Sequence, residues 1–171
     1  MAGYKYLQQT NGVLAEVVAS QTSSGATDAG KIPALDSGGK LDMTLMPTGL
    51  GAETDAITTS EAVSAGDFIN IWASSGVKAR KADASVAGKE AHGFVLAGFS
   101  SGATATVYRT SQLNAQLTTM TPGVKQYLSP SVPGGRTETV PSATGQVVQV
   151  LGVSKSATEL IFSPSAPITL A

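Results

Sequence analysis

His92 is the only histidine in a chain of 171 residues that carries no cysteine. A zinc site needs three or four nitrogen or sulfur donors, and His92 in "KEAHGFV" has no second such ligand to complete one. A serine hydrolase on an α/β scaffold would present its nucleophile in a Gly-x-Ser-x-Gly elbow, and none occurs. His92 therefore reads as a structural or exposed loop residue. Glycoside hydrolysis would need two carboxylates facing each other across a sugar bond. Asp36 and Asp42 stand six apart beside glycines and read as turn formers. Glu53, Asp55 and Glu61 read as solvated acids, with calcium binding as the alternative. Beyond Ala91 only Glu138 and Glu159 remain, too sparse for a carboxylate-lined cleft. "GDFINIW" and "GATATVY" place single glycines before strands without the spacing of a phosphate-cradling loop. No catalytic residue, cofactor or metal ligand is assigned, and the chain reads as a non-enzyme.

Two other groups bear on binding. Lys78, Arg80 and Lys81 in "VKARKAD" form the one dense basic cluster. Alternation puts Lys78 and Arg80 on one strand face, which reads as a solvated edge with a phosphate contact as the alternative. Trp72, Tyr108 and Tyr127 are the rings that would stack on sugars. Net charge is −1, which supplies no bulk attraction to nucleic acid or anionic lipid. No apolar run reaches the length of a membrane span, and "MAGYKYLQQT" has no signal-peptide core. Neither nucleic acid nor membrane is expected as a partner, and folding in a cytoplasm is expected. Charged residues are only 13% while glycines number 19. Such low charge favours turn-rich β structure, or a surface meant to be covered.

The elements that would carry these residues follow from turns and alternation. In "YKYLQQTNGVLAEVVAS", Asn11-Gly12 separates two strand-like runs, the strongest short signal for a hairpin. Residues 1–20 are predicted as that hairpin. Residues 21–52 read as a linker and extended arm, with Pro33 and Pro47 excluding regular helix and Asp36-Ser37-Gly38-Gly39 forming a turn. From residue 53 to 171, short strands alternate with turn signals: "DFINIWA", "VKARKA", "HGFVLAGF", "TATVYRT", "VKQYLS", "TETV", "QVVQVLGVS", "ELIFS" and "ITL" among them. That spacing predicts an all-β fold, a compact antiparallel barrel or sandwich preceded by the hairpin and arm. Leu113 and Leu117 allow one helical turn. Core candidates are Phe68, Ile69, Ile71, Trp72, Phe94, Leu96, Val107, Tyr127, Val148, Val150, Leu160 and Phe162. "FINIW" and "QVVQVLGV" carry apolar residues on both faces, which predicts cover from both sides and hints at a subunit interface.

Three stretches carry a resemblance: "DAGKIPALDSGGKLDMTLMPTGLGA", "SAGDFINIWASSGVKARKADASVAGKEAHGFVLAGFSSGATATVY" and "TPGVKQYLSPSVPGGRTETVPSATGQVVQVLGVSKSATELIFSP". Within them, Gly30-Lys31, Leu35-Asp36, Lys40-Leu41-Asp42, Ala65-Gly66-Asp67-Phe68 and Pro122-Gly123 resemble virion structural proteins of tailed bacteriophages. These are capsid decoration (cement) proteins, head-fibre proteins and related fibre domains. The resemblance spans residues 28–171. It implies a non-enzymatic β module, commonly a homotrimer, displayed on the virion's capsid surface after assembly in a host cytoplasm, with its N-terminus toward the attachment site.

The arm adds a physical argument. Fixing one backbone residue costs ~1–2 kcal/mol, and the first fifty residues hold few apolar side chains with which to offset that. Other chains are expected to shape them, either trimer mates or the major capsid protein. The anchors expected at this capsid and subunit interface are Tyr4, Tyr6, Leu7, Val13, Leu14 and Val17 in the hairpin, with Ile32, Leu35, Leu41, Leu45 and Met46 in the arm. The leading functional expectation is a decoration protein that stabilises the shell. The alternative is a head-fibre or tail-fibre module binding host surface glycans, and a depolymerase is the third, least favoured class.

Overall fold

A computed structural model describes residues 4–46 and 52–171 of the chain. Pro47, expected to exclude regular helix, lies outside them. The chain divides into two units, Met1–Gly51 and Ala52–Ala171.

In the first unit, β1 (Lys5–Thr10) and β2 (Val13–Val18) form an antiparallel ribbon in which Thr10 pairs with Val13. Asn11 at φ 52° and Gly12 at φ 83° make the two-residue turn, the left-handed pair that matches the twist of the strands. The following segment is not the extended arm expected from its prolines. It doubles back, through a 3-10 turn at Gly25–Asp28, to lie beside the end of β2. There Ser20 bridges Pro33 in parallel, Ser20 N–H donates to Ile32 O, and Ala34 N–H donates to Ser20 O. Asp36 forms the expected turn, its Oδ1 accepting from Gly38 N–H at 2.8 Å and Lys40 N–H at 2.9 Å. A second 3-10 turn, Met43–Leu45, follows Asp42, whose Oδ1 takes the Thr44 hydroxyl and amide.

The second unit is an antiparallel sandwich. One sheet has the order β3-β7-β6-β4-β5, from β3 (Thr54–Thr58), β4 (Phe68–Ala73), β5 (Val77–Lys81), β6 (Gly93–Phe94) and β7 (Thr104–Tyr108). The other has the order β10-β9-β12-β13-β8, from β8 (Leu113–Asn114), β9 (Lys125–Leu128), β10 (Arg136–Thr137), β12 (Val150–Ser154) and β13 (Leu160–Phe162). A small pair joins β11 (Val147–Val148) to β14 (Ile168–Thr169).

The main core lies where Phe68 and Phe94 of the first sheet meet Leu128, Leu151, Leu160 and Phe162. Phe162 packs 5.4 Å from Phe94 edge-on and 5.7 Å from Phe68, arrangements that aromatic quadrupoles favour. A second cluster, including Ile57, Ile69, Ala79, Val95 and Val107, fills the other face of the first sheet. That sheet curls until Thr59 makes a single parallel bridge to Ala79, short of a closed barrel. Alternation along β4 therefore sends Phe68 into one core and Ile69 into the other, both fully buried. The domain itself covers Phe68 and Ile69, while Ile71 and Trp72 of "FINIW" stay half-buried.

Several expectations are corrected. Leu113 and Leu117 are not on a helical turn. Leu113 pairs with Ile161 in β8, and the fully buried Asn114 donates from Nδ2 to Gly66 O at 3.0 Å. The strand expected in "TETV" begins earlier, at Arg136. In "QVVQVLGV" the buried face is Val147, Gln149 and Leu151, with Val148 and Val150 only half-buried. The reason is Gln149, whose Oε1 accepts from Ala91 N–H at 2.8 Å while Nε2 donates to Ala91 O at 3.0 Å. Its amide thereby imitates a strand partner, which makes a polar residue fit a core face. Trp72, Ile71, Leu96 and Tyr127 are likewise half-buried rather than central.

Candidate assembly interface

No described residue of Met1–Gly51 is buried. What holds this unit is polar. Lys5 Nζ meets Glu16 Oε1 at 2.8 Å across the ribbon. Ile32 N–H donates to the Tyr6 hydroxyl, Gln21 Nε2 to Leu35 O, and Ser23 N–H to Thr44 Oγ1. The Lys31 ammonium, 2.7 Å from Asp28 and helped by Ser24 N–H at 2.6 Å, holds the Asp28 carboxyl below its usual pKa. Bonds from the Thr44 hydroxyl and amide lower Asp42 in the same way. These contacts are local and close to water, where each contributes little.

The apolar residues are left facing outward. Of sixteen large exposed hydrophobics among the described residues, nine belong to this unit, under a third of the chain. Pairing in the ribbon sorts them onto two faces. Tyr4, Tyr6, Val13 and Val17 alternate onto one, where Tyr6 and Val17 are half-buried and Tyr4 and Val13 are 71% and 67% exposed. Leu7 and Leu14 belong to the opposite face, 72% and 67% exposed. Val18 joins them there at the position diagonal to Leu7, and it was missed in the sequence although it keeps the period-two spacing with Leu14. Every described side chain of the Leu7 face is exposed. In the doubled-back segment Ile32, Leu35, Leu41 and Met46 are exposed and Leu45 is half-buried. A hollow of about 530 Å³ opens between Tyr4, Ala34, Leu35 and the Asp36 turn.

The eleven expected anchors thus do not gather into one patch. They are spread over both faces of the ribbon and along the returning segment. An apolar two-stranded ribbon open on both sides is marginal in water by itself, and its chemistry is that of a surface to be covered.

The remaining candidates lie in the β sandwich, where Glu61, Trp72, Arg80 and Lys81 line one cavity and His92, Asp55 and Tyr108 stand apart from it. His92 Nδ1 accepts from Ile71 N–H at 3.0 Å. Asp55 pairs with Arg109 at 3.3 Å, and Glu61 Oε1 accepts from Lys81 N–H. Tyr108 stacks on Phe94 at 5.5 Å, and Trp72 lies under the Arg80 guanidinium at 4.3 Å. No protein-family model, curated protein or solved structure matches the chain.

Proposed function

We propose that this protein is a structural component of a virus particle, a decoration protein that binds an assembled shell through its N-terminal unit. The observation that supports it is the absence of a buried side chain among the described residues of Met1–Gly51, beside nine large apolar side chains open to water. A ribbon so constituted gains its stability from the surface that covers it. A shell that offers such a surface only when assembled is stabilised in turn by mass action. The β sandwich, with two filled cores of its own, then stands as the displayed part. The resemblance to capsid decoration and head-fibre proteins agrees with this division of labour. Direct stacking of a sugar on the three rings gains no support from Tyr108, which stacks on Phe94, or from Trp72, which is covered by the Arg80 guanidinium.

Hydrogen exchange on the free protein and on the particle tests the reading. Amides of β1 and β2 should exchange within seconds in the free chain and become protected on the particle. Strong protection of those amides in a free monomer would overturn it, as would particles lacking the protein that tolerate heat and osmotic shock unchanged.

A further inference from the structure

In "VKARK" the structure departs from the solvated edge that alternation suggests. Arg80 is half-buried, its guanidinium carbon 4.3 Å from the centroid of the Trp72 ring. Its Nε donates to Asn70 Oδ1 at 2.9 Å and its Nη2 to Gly88 O at 2.7 Å. Asn70 is itself 1% exposed, and its Nδ2 donates to Glu90 O at 2.8 Å, which fixes which end of the amide faces Arg80. The guanidinium is therefore held on one face and two edges. Yet no carboxylate pairs with it among the described residues. Two carbonyl oxygens and the indole face offset its partial desolvation, and the charge itself is left without a counter-ion.

Arg80 lines a cavity of about 310 Å³, with Trp72, Lys89, Ser60, Glu61 and Asp83 around it. Lys89 Nζ is 3.9 Å from Asp83, too far for a hydrogen bond, so its ammonium also retains capacity. The two acids are anchored by one oxygen each. Glu61 Oε1 accepts from Lys81 N–H at 2.7 Å and Asp83 Oδ1 from Ser85 N–H at 2.8 Å. Glu61 Oε2 remains as an acceptor, and Asp83 Oδ2 faces the Lys89 ammonium at 3.9 Å without a hydrogen bond to it. Cationic donors and carboxylate acceptors thus surround one concavity, whose volume is at the small end for a ligand pocket, roughly 300–1,000 Å³.

We infer that this cavity binds an acidic sugar. Its oxyanion, a carboxylate or a phosphate, meets Arg80 and Lys89, and its hydroxyls donate to Glu61 and Asp83. Arg80 is the binding residue because a planar fork suits an oxyanion. Trp72 and Asn70 are positioning residues: the indole supports the guanidinium instead of stacking on the sugar. The site lies wholly within the β sandwich, so its fate is independent of the proposed footing.

Trp72 is the only tryptophan, so intrinsic fluorescence of the full-length protein reports on this cavity. The titrants are glucuronate, glucose 6-phosphate, glucose and inorganic phosphate. A saturable change is expected with glucuronate or glucose 6-phosphate at a Kd at least about tenfold below that for glucose, and the tighter of the two identifies the oxyanion. Arg80→Lys should weaken binding by roughly tenfold or more, since an ammonium cannot present the fork. Lys89→Gln should weaken it with an unchanged melting temperature, which keeps the test decisive if the Arg80 variant is misfolded. Four outcomes overturn the inference: no response to either sugar acid, an equal response to glucose, a response to inorganic phosphate alone, or affinity unchanged in Lys89→Gln.

Discussion

Single side chains in the sandwich do work that their types do not announce, and His92 is one. Its ring reaches solvent, but the protein around it excludes enough water to lower its pKa. Arg109 acts in the same direction, and Glu90 opposes it. The neutral ring also accepts the Ile71 amide at Nδ1, a bond that protonation of that nitrogen would break. With the folded pKa below the unfolded one, the unfolded chain takes the proton first. The stabilisation is complete above about pH 6.5 and is lost as pH falls from there toward the folded value. Urea unfolding should show lower stability at pH 5 than at pH 7.5. His92→Asn, whose Oδ1 can stand in for Nδ1, should flatten that difference, and because the chain has one histidine the comparison is clean. Gln149 is the second case. Gln149→Leu would bury a better hydrophobe yet orphan both Ala91 N–H and Ala91 O, so it should destabilise by about 2–4 kcal/mol in chemical denaturation.

At the scale of elements, turns were legible and faces were less so. Asn11-Gly12 located the hairpin because only left-handed backbone fits there, and Asp36 located its turn because a carboxylate can bond its own chain two residues on. Strands β4, β5, β7, β9 and β13 were legible as short β-forming runs bounded by turn signals. Val148 and Val150 stand among the expected core residues in place of Val147 and Leu151 because the middle residue of the buried face is a glutamine. The signal that would reverse the assignment, a partner at Ala91, lies 58 positions away. Leu113 and Leu117 misled in a similar way, since helical spacing says nothing about Asn114 and its distant acceptor at Gly66. The proposed footing was read from eleven apolar residues and their scarcity, and its return onto Ser20 was not legible, because that bridge rests on backbone groups. Gly152 marks the limit in β12. It sits at φ 147° where the register shifts, and an added Cβ would lie 1.9 Å from Ile161 O. Gly152→Ala should cost upwards of ~3 kcal/mol, measurable as a lowered denaturation midpoint.

For the whole molecule, the two units answer to different forces, and mutations should separate them. Leu7→Lys with Leu14→Lys alters side chains that touch water already, so stability of the free protein should move by less than about 0.5 kcal/mol. Attachment to particles, scored by co-sedimentation, should be abolished. Removing residues 1–51 should leave a cooperatively unfolding sandwich whose melting temperature shifts by less than about 4 °C.

The margins of that sandwich carry a further consequence. One sheet ends in β8 and β10, each only two residues long, and the outer strands of the other are tied to each other at Thr59–Ala79. Neither offers a length of vacant backbone on which a neighbour's strand could zip. Copies crowded side by side therefore find little backbone to pair with at these sandwich margins, and the larger share of the exposed large apolar side chains among the described residues, nine of sixteen, lies in the first unit instead.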